Sequence, residues 1–97
     1  MAELAYRKLT DEEVATALAA APNWTRDGDE IVRTIEFATY SEGVQFAVRV
    51  AEVAEALDHH PDMLIGYRKV TIRISTHSVK GLSPYDFELA RRIDGMG

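Results

Sequence analysis

The longest helical pattern of the chain covers residues 41–59 and lies between two pairs of predicted strands. It ends near His59, because Pro61 forces the residue before it out of the helical region. Its apolar side chains form two stripes, one of Ala47, Val48, Ala51 and Ala54 and the other of Phe46, Val50, Val53 and Leu57. A helix that covers one face of a sheet needs only one apolar stripe. The second stripe predicts a contact with another subunit, unless the helix is simply deeply buried.

Two strands are predicted on each side of this helix, at residues 24–26, 30–37, 63–67 and 70–76. The first pair is joined by Asp27-Gly28-Asp29, in which the Asp-Gly step is a strong hairpin turn signal. The last of the four alternates strictly, with Val70, Ile72 and Ile74 on one face. This alternation is typical of a strand with one buried face.

A shorter helix is predicted at each end of this arrangement. Thr10 is the predicted N-cap of the first, with Glu13 closing a capping box, and the helix makes about three turns before Pro22. Ser83 is the predicted N-cap of the last helix, with Asp86 at its third position. The order α-β-β-α-β-β-α predicts an α+β two-layer sandwich: a four-stranded antiparallel sheet covered on one face by three helices.

Length and composition limit the class of protein. We expect one domain over residues 1–97, because a chain of this length forms one hydrophobic core. The absence of cysteine excludes disulfides, thiolate nucleophiles and thiolate metal sites. A net charge of -5 has the wrong sign for phosphate backbones, so direct nucleic-acid binding is not expected. The sequence shows neither a secretory signal nor a membrane span, so we expect a cytoplasmic protein.

The three histidines, His59, His60 and His77, lie within nineteen positions of one another. An unperturbed imidazole titrates near pH 6.5, so one histidine can accept a proton and another can donate one at neutral pH. Their clustering indicates an acid-base site. A structural interpretation also exists, because the macrodipole alone favours histidine at a helix C-terminus.

Carboxylates accompany the histidines in the sequence. Glu55 is four positions before His59 and therefore on the same helical face, where it can orient the ring. Asp58 precedes the histidine pair, and Asp86 lies in the first turn of the last helix. Each has a second explanation, since Asp86 is also a capping acid and Glu55 is also an ordinary solvated helix residue.

Other chemistries are less well supported. Helical metal pairs usually have an offset of three or four residues, which the adjacent His59 and His60 lack. Ser75, Thr76 and Ser78 lack the glycine-flanked elbow of a hydrolase nucleophile. The sequence also contains no phosphate-binding glycine loop and no dinucleotide fingerprint. Acid-base chemistry by histidine is therefore favoured over a metal centre.

Four sequence blocks together resemble the pterin-4a-carbinolamine dehydratase family, and the resemblance covers essentially the whole chain. They are Glu-x-x-x-His-His-Pro at residues 55–61, Thr-His at 76–77, Gly-Leu-Ser at 81–83, and Asp86. The resemblance implies a hydro-lyase that converts 4a-hydroxytetrahydropterin to quinonoid dihydropterin and water in tetrahydropterin recycling. It also implies a homodimer or homotetramer that needs neither a metal nor an organic cofactor.

The same resemblance implies roles for individual residues. His59, His60 and His77 become the active-site histidines, with His59 and His77 exchanging protons and His60 mainly positioning the substrate. The residues implied to bind the pterin are Asp58, Ser75, Thr76 and Ser78, with Glu55 and Asp86 as supporting carboxylates. Two positions depart from the family: Met63 replaces a frequent aromatic residue and Arg68 replaces a common asparagine.

A non-catalytic function is the alternative. Some family relatives are dimerisation partners of a homeodomain transcription factor, and others are linked to assembly of a carbon-fixing enzyme. This alternative is a non-catalytic pterin-binding or protein-assembly module, and a pure scaffold has no physical need for three clustered imidazoles. Their presence favours catalysis.

Overall fold

The computed structural model describes residues 4–96 and has the predicted element order. The helices are α1 (Asp11–Ala19), α2 (Tyr40–Leu57) and α3 (Pro84–Asp94). The strands are β1 (Thr25–Asp27), β2 (Glu30–Glu36), β3 (Asp62–Ile65) and β4 (Lys69–Ile74), and a 3₁₀ turn follows at His77–Val79. The α+β architecture predicted from the sequence is confirmed.

The four strands form one antiparallel sheet in the order β1-β2-β4-β3, so that β4 lies inside the sheet. The alternation predicted for β4 is present, because Val70, Ile72 and Ile74 are completely buried. Ile31 of β2 lies opposite Ile74 and belongs to the same face. This face packs against all three helices in one core cluster, to which α1 contributes Val14.

Helix α2 places one part of its apolar surface in the core and leaves another part exposed. Phe46, Val50 and Ala54 are buried in the core cluster. Val48, by contrast, is 56% exposed, and Ala51 is also exposed. The deeply buried interpretation of this helix is therefore wrong for these two positions.

The capping box predicted at Thr10 forms, and a capping box also forms at the predicted N-cap Ser83. Thr10 Oγ1 accepts the backbone N–H of Glu13 at 3.1 Å, and Glu13 Oε1 accepts that of Thr10 at 3.0 Å. Arg7 also donates to both carboxylate oxygens of Glu13, at 3.1 and 2.8 Å. Hydrogen bonds from Arg7 and then from the Thr10 backbone lower the pKa of Glu13 to about 2. These contacts tie the segment before α1 to the helix.

The boundaries of several elements differ from the predicted ones. Helix α2 ends at Leu57, earlier than predicted, and Asp58 follows in the left-handed conformation with φ 54° and ψ 45°. The N–H of His59 then donates to the Ala54 carbonyl at 3.0 Å, closing a Schellman-type end. Glycine is the usual residue in this left-handed conformation, but aspartate can also adopt it. The turn directs His59 away from the helical face predicted for it.

The strand ends are also shifted. β3 ends at Ile65, and Gly66 N–H donates to the Lys69 carbonyl at 2.8 Å in the tight turn to β4. β4 ends at Ile74, before the predicted Thr76, which instead pairs with Gly81 in an isolated bridge. The 3₁₀ turn between these two residues carries His77.

Candidate active site

A cavity of about 250 Å³ opens where the end of α2 meets the end of β4. Its lining residues are Tyr6, Asp58, His59, His60, Ser75, Thr76, His77 and Ser78. The structure thus brings the three histidines together with four of the residues predicted to bind substrate. The two predicted supporting carboxylates do not line the cavity, and each instead contacts one histidine.

His59 is the buried histidine of the three, with 7% of its surface exposed, and its partner is the fully buried Asp86. Nε2 of His59 lies 2.6 Å from Asp86 Oδ1. The two residues are 27 positions apart and meet because the left-handed turn at Asp58 directs His59 towards the start of α3. Burial strengthens such a pair electrostatically and makes the loss of either partner costly.

A chain of hydrogen bonds holds the Asp86 carboxylate in place. Its Oδ2 accepts the backbone N–H of Ser83 and the hydroxyl of Thr76, both at 2.8 Å. Ser83 Oγ lies 2.7 Å from Thr76 Oγ1 and accepts the backbone N–H of Tyr85. Asp86 therefore caps α3 and orients His59 at the same time. The two explanations that the sequence left open for Asp86 are compatible.

The tautomer of His59 follows from these contacts. An ionised carboxylate has only acceptors, so Nε2 of His59 donates to Asp86. Within residues 4–96, Nδ1 of His59 makes no hydrogen bond, and His59 lines the cavity. Nδ1 is therefore the nitrogen that a molecule in the cavity can meet.

The pairing predicted between Glu55 and His59 is wrong. Glu55 Oε1 lies 3.2 Å from Nε2 of His60, and both side chains are exposed. The reason is the early end of α2, because His59 no longer continues the helical face on which Glu55 lies. An exposed pair of this kind restrains His60 only weakly.

His77 lines the cavity from the first position of the 3₁₀ turn. It is exposed, and within residues 4–96 its ring makes no hydrogen bond. The cavity thus combines one buried, oriented imidazole with two exposed ones on different backbone segments. This arrangement can exchange protons with two atoms of a small molecule.

Tyr6 is a lining residue that sequence reasoning missed. It lies in an irregular segment before α1, where no periodic pattern or motif marks it. Its ring stacks on that of Tyr85, with centroids 4.3 Å apart. Met63 and Arg68, the two positions that depart from the resembled family, do not line the cavity. Met63 packs against the core, and Arg68 donates to the Phe37 carbonyl.

A larger cavity of about 830 Å³ lies between α1 and α3, but it contains no histidine. Four of its charged lining residues form ion pairs with one another, Arg7 with Glu13 and Arg91 with Glu88. The smaller cavity is the better candidate for proton-transfer chemistry, because it is lined by three histidines and the larger one by none.

Two further properties concern only the part of the chain that the structure describes. In residues 4–96, no three histidine or acidic side chains converge as the ligands of a metal ion do. None of the helices described has the length and apolar character needed to cross a membrane.

Comparison with known proteins identifies the family. The model of the family described as "Pterin 4 alpha carbinolamine dehydratase" matches residues 7–96. A protein of Natronomonas pharaonis, provisionally named a pterin-4-alpha-carbinolamine dehydratase, is 51% identical over 87 residues, which are 90% of this chain and 92% of the relative. A protein of Nocardia farcinica with the same provisional name is 50% identical over 86 residues, covering 89% and 90% of the two chains.

Two solved structures are similar to the fold. The "transcriptional coactivator/pterin dehydratase" of Brucella melitensis superposes with a TM-score of 0.88 at 32% identity, covering 93% of this chain and 98% of that one. A pterin dehydratase-like RuBisCO assembly factor of the alpha-carboxysome superposes with a TM-score of 0.61 at 18% identity, over 75% and 84% of the two chains, and supports the fold alone. By the family match and the curated relatives, this chain belongs to the pterin 4 alpha carbinolamine dehydratase family.

Proposed function

We propose that this protein is a hydro-lyase that dehydrates 4a-hydroxytetrahydropterin in tetrahydropterin recycling. In the reaction the C4a–O bond breaks, the N5 proton is lost and a C4a=N5 double bond forms, which yields quinonoid dihydropterin and water. The reaction needs no oxidant or reductant, because the lost hydroxyl and the lost proton together make the water. The observation that carries the proposal is the buried His59–Asp86 pair on the wall of a cavity shared with His60 and His77.

His59 and His77 are the proposed acid and base. One donates a proton to the departing hydroxyl and the other accepts the proton from N5, and each such transfer typically contributes about 100- to 10,000-fold to the rate. His59 exchanges its proton through Nδ1, because Asp86 occupies Nε2. The exposed His60 mainly positions the substrate.

The pterin contacts are proposed from the same cavity wall. Asp58, Ser75 and Ser78 lie beside the histidines and offer a carboxylate and hydroxyls to the polar edge of a pterin. Thr76, whose hydroxyl donates to Asp86, lies on the same wall. Glu55 acts beside His60 at the rim. Asp86 acts through His59, so it is a positioning residue.

The test is the ultraviolet decay of freshly generated 4a-hydroxytetrahydropterin. We expect a catalytic amount of the protein to accelerate the decay clearly over buffer alone, with the heat-denatured protein as control. A decay equal to that in buffer would contradict the dehydratase function. It would favour the alternative, a pterin-binding or assembly module.

We also propose that the protein is a homo-oligomer, a dimer or a tetramer, and that α2 contributes to its interface. Val48 and Ala51 form an exposed apolar patch on this helix, away from the side chains that enter the core. The edge strand β3 offers a second exposed apolar position at Leu64. Burying exposed apolar surface of this kind against a second copy of the chain stabilises the oligomer.

Light scattering of the native protein should give a mass of two or four times the 10.8 kDa chain. We expect Val48→Lys to lower this mass by half or more, because it places a charge in the apolar contact. Asp29→Lys, which also introduces a lysine but at an exposed position in the turn between β1 and β2, is the matched control and should leave the mass unchanged. A native monomer, or an equal mass for Val48→Lys, would rule out this interface.

A further inference from the structure

The rings of Tyr6 and Tyr85 form an aromatic pair beside the histidines. Their centroids are 4.3 Å apart and their planes differ by 16°, which is a stacked geometry. The ring of His59 lies 6.4 Å from Tyr6 and 5.7 Å from Tyr85. Of the two tyrosines, Tyr6 lines the cavity, and 54% of its surface is exposed.

Contacts that do not involve the Tyr6 ring hold its backbone segment in this place. The N–H of Leu9 donates to the Leu82 carbonyl at 2.7 Å. Lys8 passes so close to Gly81 that a Cβ atom at position 81 would lie 2.9 Å from Lys8 Cε. The ion pair between Arg7 and Glu13 ties the same segment to α1. The Tyr6 ring is therefore not required as an anchor.

Tyr6 is an exposed aromatic residue on the wall of a polar cavity. Flat aromatic groups prefer to stack on aromatic rings, and ligand sites usually combine an apolar wall with a few convergent polar groups. The histidines, serines and Asp58 supply the polar groups here. The stack with Tyr85 holds the ring before a ligand arrives, which reduces the entropy lost on binding.

We propose that Tyr6, supported by Tyr85, is the aromatic wall that holds the planar ring of the substrate. This inference rests on the proposed pterin chemistry and adds a binding residue to it. Tyr6 touches the substrate but exchanges no proton with it, so it affects binding and not the chemical step.

The test is a titration of 7,8-dihydrobiopterin, a stable molecule shaped like the product, followed by calorimetry. We expect Tyr6→Leu to weaken binding about three- to tenfold, the usual contribution of one aromatic stacking contact. Tyr6→Phe should bind within about twofold of the native protein, since it keeps the ring. KM should rise in parallel for Tyr6→Leu, with kcat unchanged.

Tyr40→Leu is the matched control, because Tyr40 is equally exposed at 53% and lines neither cavity. It should bind the probe like the native protein. Equal binding by Tyr6→Leu and the native protein would overturn the inference and leave the dehydratase proposal standing. Weak binding by Tyr6→Phe would also overturn it, because the hydroxyl and not the ring would then be responsible. A native protein that neither binds the probe nor accelerates dehydration would remove both proposals.

Discussion

His59→Gln and His77→Gln are each expected to lower kcat for the dehydration of 4a-hydroxytetrahydropterin by about 100-fold or more. Each substitution removes one of the two proposed proton transfers, and one transfer typically contributes about 100- to 10,000-fold. Glutamine is chosen at position 59 because its amide N–H can still donate to the buried Asp86. The measurement is the initial rate of ultraviolet decay at saturating substrate, after unfolding curves have shown that both variants are folded.

His60→Gln is the control for this pair of variants. His60 is exposed, and Glu55 is its only hydrogen-bond partner among residues 4–96, so we expect its loss to raise KM several-fold and to change kcat by less than about threefold. If His77→Gln kept kcat within that range, His77 would not be an acid or base. If all three variants behaved alike, the assignment of distinct roles would be wrong.

The fold could be predicted from the sequence because its signals are local. Thr10 and Ser83 mark helix starts by side-chain chemistry that acts within three residues, and both caps are present. The alternation of Val70, Ile72 and Ile74 follows from the geometry of a single strand with one buried face. Each of these features could be read without knowing where any distant residue lies.

The partners within the site could not be predicted in the same way. His59 meets Asp86 across 27 positions, and the turn that brings them together depends on Asp58 adopting a conformation that a glycine would have signalled. Helical spacing gave His59 the wrong partner, Glu55, because the helix ends before the spacing applies. Tyr6 lies outside any periodic segment, and tertiary contacts such as the Leu9–Leu82 hydrogen bond and the stack on Tyr85 place it in the cavity. The single domain, the cytoplasmic location and the lack of nucleic-acid binding stay predictions.

Asp86→Asn is expected to lower kcat by about 100-fold and to lower the free energy of unfolding by about 2 kcal/mol. Ser83 N–H and the Thr76 hydroxyl both donate to Oδ2, so the asparagine oxygen must take that place. The amide NH₂ then faces Nε2 of His59, which has to accept. The ring proton moves to Nδ1, and the nitrogen that meets the substrate loses its lone pair.

Urea unfolding and steady-state kinetics together measure the two effects, and Glu55→Gln is the matched control for stability. Glu55 is also a carboxylate beside an imidazole, but its pair is exposed, so its loss should change the free energy of unfolding by less than about 0.5 kcal/mol. The burial of the Asp86–His59 pair would then account for its larger effect on the free energy of unfolding than that of the exposed Glu55–His60 pair. An Asp86→Asn variant that is destabilised but keeps its kcat would show that Asp86 acts only as the cap of α3. One that keeps its stability but loses kcat would show instead that the carboxylate matters through the tautomer of His59.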